Sequence, residues 1–122
     1  MDMGTALKEA MEIDGAVGVA LVDYESGMAL GTLGGGRALD LDLAAAGNTE
    51  VVRAKTRTLA SLNLDEKIDD ILITLTGQYH LIRLLHSQKG AGLFMYLALD
   101  RNRSNLALAR HRLREIATET TV

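Results

Sequence analysis

Leu72 and Ile73 are neighbours inside a short run of β-forming residues, and so are Leu84 and Leu85. Side chains alternate between the two faces of a strand, so each pair puts apolar groups on both sides of a sheet. A sheet of that kind has to be covered on both faces, which excludes a hairpin stack with one wet side. The cover must come from helices, and the rest of the chain supplies three of them.

Residues 5–13 carry a short amphipathic helix pattern, with Ala6, Leu7, Ala10 and Met11 on one stripe and Lys8, Glu9 and Glu12 off it. Asp14-Gly15 breaks it. Residues 16–22 and 28–33 are apolar runs too short for helices, joined by Asp23-Tyr24-Glu25-Ser26-Gly27, and predict a β-hairpin. After Gly34-Gly35-Gly36 the period lengthens. Between Asp40 and Leu62 apolar residues recur at Leu41, Ala44, Ala45, Val51, Val52, Leu59 and Leu62, which predicts a long helix. Asp40 and Asp42 at its start and Arg53, Lys55 and Arg57 in its later half suit the helix dipole. Gly47 and Asn48 weaken this helix by about 1 kcal/mol or more relative to alanine, so something outside it must compensate.

Residues 71–76 and 79–85 form a second hairpin around Gly77-Gln78, residues 87–92 a loop, and residues 93–99 a fifth strand. Asn102 or Ser104 then caps a last helix bearing Leu106, Ala109, Leu113, Ile116 and Ala117. The expected fold class is α+β, an α/β/α sandwich around a five-stranded, mainly antiparallel sheet. The order is helix-strand-strand-helix-strand-strand-strand-helix, over a single domain spanning 1–122. Adjacent hairpins exclude a doubly wound dinucleotide fold.

Composition removes several kinds of chemistry. With no cysteine there is no disulfide, thiolate zinc site or cysteine nucleophile. Tyr24, Tyr79, Phe94 and Tyr96 are the whole aromatic complement, and the net charge is −3, so stacking on nucleic acid is not expected. Residues 93–99, the longest nearly apolar stretch, fall far short of the roughly 20 a membrane helix needs. The acidic N-terminus lacks the basic region of a leader. A cytoplasmic protein without membrane insertion is expected.

Individual motifs are weak. Gly31 and Gly36 have the separation of a phosphate-binding loop, but Arg37-Ala38 stands where Lys-Ser/Thr is needed. His80 and His86 lie about 20 Å apart along an extended strand, too far to share a metal. His111 stands alone between arginines. Asp69 and Asp70 would project to opposite sides inside a strand and are read instead as solvating the strand entry after Asp65-Glu66, and no serine sits in a Gly-x-Ser-x-Gly elbow. No catalytic, cofactor or metal residue is assigned, and no enzyme is expected.

Charge is unevenly spread. Residues 1–50 sum to −7, residues 51–100 to +1 and residues 101–122 to +3. Arg103, Arg110 and Arg114 share one helical stripe and are candidates for docking an acidic partner surface. The small residues of the long helix favour self-association through that helix and an adjoining strand edge.

Three stretches together resemble the Roadblock family, the roadblock/dynein light-chain domains related to longin and profilin-like folds. The stretch from Ile13-Asp14-Gly15 through Asp23-Tyr24-Glu25-Ser26-Gly27 to Met28-Ala29-Leu30 is similar to the family's opening strands and acidic-Gly turn. The small-residue helix near 42–61 is similar to its dimer helix. The close, Leu99-Asp100-Arg101-Asn102-Arg103-Ser104-Asn105-Leu106, is similar to its last strand and helix start.

The resemblance implies homodimers that pair long helices and third strands into one continuous sheet. By position, Ala45, Asn48, Thr49, Val52 and Thr56 would lie near the helix contact. It also implies a non-catalytic adaptor or regulator, of a Ras-like small GTPase or a signalling complex. A small-molecule sensing module of profilin-like type, with Gly31 to Arg37 as a lid, is the alternative. The chain departs from many relatives in that loop, in its short first helix and in its arginine-rich last helix.

Overall fold

The computed structural model describes residues 1–86 and 92–121. Most of the predicted 87–92 loop lies outside them. The elements follow in the expected order: α1 (Met3–Met11), β1 (Ala16–Asp23), β2 (Met28–Gly34), α2 (Leu41–Ser61), β3 (Asp70–Thr74), β4 (Gln78–Leu85), β5 (Leu93–Asp100) and α3 (Leu106–Glu119). Short 3₁₀ turns, Gly36–Ala38 and Arg101–Arg103, lead into α2 and α3.

Local chemistry accounts for the ends. α1 starts before residue 5 because the Asp2 carboxylate accepts from the Thr5 amide at 2.8 Å. α2 starts where Asp40 accepts from the Leu43 amide at 3.1 Å. The last helix is capped neither by Asn102 nor by Ser104. Asp100 takes the Asn102 amide at 3.0 Å and winds that segment into a 3₁₀ turn, so the cap passes to Asn105, which accepts from Leu108 at 3.1 Å. β3 stops at Thr74, and Leu75 donates to the Gln78 carbonyl at 2.8 Å to close the hairpin.

The sheet order is β2-β1-β5-β4-β3 and every neighbouring pair is antiparallel. β5 is central and buried from Leu93 to Leu99. β2 and β3 are the edges. One face carries α1 and α3, whose Leu7, Ala10, Leu113 and Ile116 meet Val19, Leu21, Leu81, Met95 and Leu97. The other face carries α2, whose Leu41, Ala45 and Val52 meet Ala20, Val22, Ile82, Phe94 and Tyr96. Leu85 belongs to the first core and Leu84 to the second, which is why both had to be apolar.

α2 lies over β1 and β2, at one side of its face. The corner that turns β2 into it is built on Gly35, whose φ of +80° favours glycine and whose amide donates to the Val17 carbonyl at 2.9 Å. A Cβ there would sit 2.6 Å from the Leu39 carbonyl oxygen. The glycines of this loop therefore serve a tight corner. Toward β3 and β4 the same sheet face is less covered: Ile71, Ile73 and His80 are half-buried there.

Candidate interaction surface

The outer surface of α2 and the β3 edge at the other side of the sheet form the first candidate. Ala45, Thr49 and Val52 point into the chain's own sheet, with exposures of 0%, 1% and 1%. The buried Thr49 hydroxyl donates to the Ala45 carbonyl at 2.7 Å, and the turn at Gly27 packs against this residue. Those three side chains seat the helix and have no surface to offer a second molecule. Asn48 is half-buried and Thr56 exposed, at the margins of the seat.

The opposite side of α2 faces outward. At 100° per residue Leu43, Gly47, Glu50 and Ala54 fall on one line, with Val51 beside it. Leu43 is 70% exposed and Val51 37%, and nothing lies within 4 Å of where a Gly47 Cβ would be. Gly47 thus costs helix stability without serving any packing inside the chain. The resemblance alone placed the contact on the inward stripe. The signal for the outward stripe, a Leu and a Gly four apart, is visible in sequence but does not say which side meets the sheet.

On the far face the arginines divide. Arg103 lies in the 3₁₀ turn before the α3 cap, exposed and off the helical stripe. Arg110 and Arg114 are on α3. Arg110 grips Asp70 of β3 with two bonds of 2.9 Å, Nε to one carboxylate oxygen and an Nη to the other. Arg112 instead reaches Glu9 of α1 at 3.1 Å and ties the two helices together.

The histidines stay apart. His86, just past β4, faces Asp69 at 3.5 Å, and His111 faces Glu115 at 3.6 Å. His80 lies against Tyr96, whose hydroxyl is 3.1 Å from Nδ1, while Nε2 is 2.8 Å from the Gln78 side-chain oxygen. Burial holds the His80 pKa below its ordinary value, and burial pushes the Tyr96 hydroxyl up to about 12. Among the described residues no three His, Asp or Glu side chains are grouped to hold a metal, and no helix is long and apolar enough to cross a membrane.

This sheet order, with a long helix on one face and two shorter helices on the other, is the Roadblock fold. The structure of a Roadblock/LC7 domain from Streptomyces avermitilis is similar over 96% of this chain and 92% of its own, with a TM-score of 0.73 at 13% identity. MglB from Myxococcus xanthus is similar over 93% of this chain and 77% of its own, with a TM-score of 0.74 at 17% identity. A structure described as MglB with tetrameric arrangement matches over 94% of this chain and 82% of its own, with a TM-score of 0.76 at 18% identity. No protein-family model matches the chain. No curated protein matches it either.

Proposed function

We propose that residues 1–122 act as one domain, a non-catalytic homodimeric adaptor that regulates a Ras-like small GTPase or a signalling complex built around one. The observation that carries the dimer is the outward stripe of α2. Leu43, Gly47, Val51 and Ala54 leave an exposed strip of apolar and small residues around Glu50, with a glycine that nothing among the described residues explains, and a second helix backbone approaching at Gly47 explains it. Asn48 and Thr56 lie toward the sheet side of the helix and away from this strip, and Ala45, Thr49 and Val52 contribute by fixing the helix on its sheet. β3, an edge strand with unpaired backbone groups on its outer side, extends the sheet into the partner. The tetrameric arrangement described for a similar MglB supports self-association in this fold.

A working surface on the outside of a dimer suits a partner protein rather than a substrate, and the Roadblock resemblance names GTPases as the partner class. The cytoplasm as its place, and nucleic acid as a non-partner, belong to the same proposal. Sedimentation equilibrium at micromolar concentration tests the dimer; a mass of 13.1 kDa there refutes it. Mixing the protein with Ras-like GTPases of its own cell tests the regulation. Neither a complex nor a changed rate of GTP hydrolysis would leave that part without support.

A sensing role is favoured by one feature, a groove of about 420 Å³ between the second half of α2 and the segment leading to β3. Tyr24, Leu59, Leu64, Ile68, Leu84 and His86 line it. It lies away from the Gly35 corner, so that loop is not its lid. A metabolite pool that leaves the melting temperature unmoved removes this reading.

A further inference from the structure

A polar cleft of about 550 Å³ separates α3 from the β3–β4 end of the sheet, walled by Arg83, Arg110, His111 and Arg114 with Asp69 and Asp70. It lies on the face opposite α2, clear of the proposed helix contact, and its Asp70 wall borders the β3 edge that the same dimer would extend. Arg83 is on β4 and shares its side of the strand with Leu81 and Leu85, which belong to the α1/α3 core. Its Nε is buried and has no hydrogen-bond partner among the described residues. That N–H is closed to solvent, so a group entering the cleft would meet Arg83 through the rest of its guanidinium.

The cleft already shows which acceptor its arginines take. Arg110 holds the Asp70 carboxylate in a two-bond fork. His111 has Glu115 as its neighbour on α3. Among the described residues Arg83 and Arg114 have no carboxylate within ion-pair distance.

We propose that this cleft is a docking site for a carboxylate side chain, an Asp or Glu in an acidic segment of a partner protein, seated between Arg83 and Arg114. Planar guanidinium forks match a carboxylate two bonds at a time. The charge pattern selects against larger anions. Asp69 and Asp70 stand beside the arginines, and two fixed carboxylates repel a polyphosphate or a nucleic acid while leaving room for one inserted carboxylate. This inference stands apart from the GTPase reading, since it names a chemistry and not a partner.

The test follows the Nε–H signals of Arg83 and Arg114 by NMR in the full chain at low salt. The protein is titrated with acetyl-Gly-Glu-Glu-Gly-amide, with its Gln counterpart and with inorganic phosphate. Saturable shifts of both arginines with the Glu peptide alone are expected. Arg114→Gln, an exposed change on α3, should weaken the peptide about tenfold, the size of one lost charge-assisted bond. Arg83→Lys keeps the charge but removes the planar guanidinium fork and should weaken it similarly; Arg114→Gln decides the matter if that variant does not fold. The proposal is overturned by no saturable shift at millimolar peptide, by an equal response to the Gln peptide, or by phosphate binding as tightly as the Glu peptide. It is equally overturned if Arg114→Gln binds like the parent. Sedimentation of the same samples reports the dimer separately, so one idea can fail without the other.

Discussion

Replacing Gly47 with alanine separates the chain's own folding from its proposed assembly. The position has ordinary helical backbone, since it is not among the residues of positive φ, and the space around its would-be Cβ is open to 4 Å. The new methyl therefore meets no atom of its own chain. The helix should gain about 0.5–1 kcal/mol, because alanine loses less backbone freedom on folding than glycine. For a chain of 122 residues that corresponds to a rise in Tm of about 2–5 °C. In a dimer whose helices approach at this residue, the two added methyls meet across the interface. Overpacking there should cost about 1–3 kcal/mol, or about 5- to 150-fold in the dissociation constant. Circular-dichroism melts at a concentration below dissociation read the first effect, and sedimentation equilibrium reads the second. A lower Tm in dilute solution would refute the open environment of Gly47. An unchanged dissociation constant would refute the helix contact.

Other expectations concern the frame. Ile116→Ala removes a fully buried side chain from the α1/α3 core and should lower stability by about 2–5 kcal/mol; a shift below 1 kcal/mol in urea unfolding would contradict that burial. Asp40→Ala deletes the α2 cap and should cost about 1 kcal/mol, with the far-UV signal of the remaining native state little changed. The fold holds His80 neutral by burying it, so its pKa is depressed below 6.5. The unfolded chain then binds the proton more readily, and stability is complete above pH 6.5 and declines as the pH falls through the folded-state pKa. Urea midpoints at pH 5 and pH 7.5 should differ in the parent and converge in His80→Gln, and an equal gap in both would exclude His80 as the source. The Tyr96 hydroxyl works at the other end. With its pKa raised to about 12, it favours the fold below pH 10 and loses that contribution as the pH climbs toward 12, which Tyr96→Phe should blunt.

Periodicity alone determined a good deal. The switch from strand runs to a helical pattern after Gly36, the doubly apolar pairs of β3 and β4, and the turn residues at Asp23 to Gly27 were enough for the element order and the helix–sheet–helix layering. They are local signals, set by which face each side chain takes. The α3 cap was not legible, because Asn102, Ser104 and Asn105 all have capping side chains and the choice fell to Asp100, which took the Asn102 amide first. The long helix was ambiguous for a similar reason. Leu41, Leu43, Val51 and Val52 spread apolar groups around it, and only contact with β1 and β2 decided that Ala45, Thr49 and Val52 turn inward while Leu43 and Gly47 turn out. The cleft on α3 was half visible as a run of arginines. Arg83, 27 residues earlier than Arg110 and on a strand, joins it only because β4 passes beneath the helix. Sequence specifies which side chains can share a face; the packing of helix on sheet decides which faces meet, and so which groups are left for another molecule.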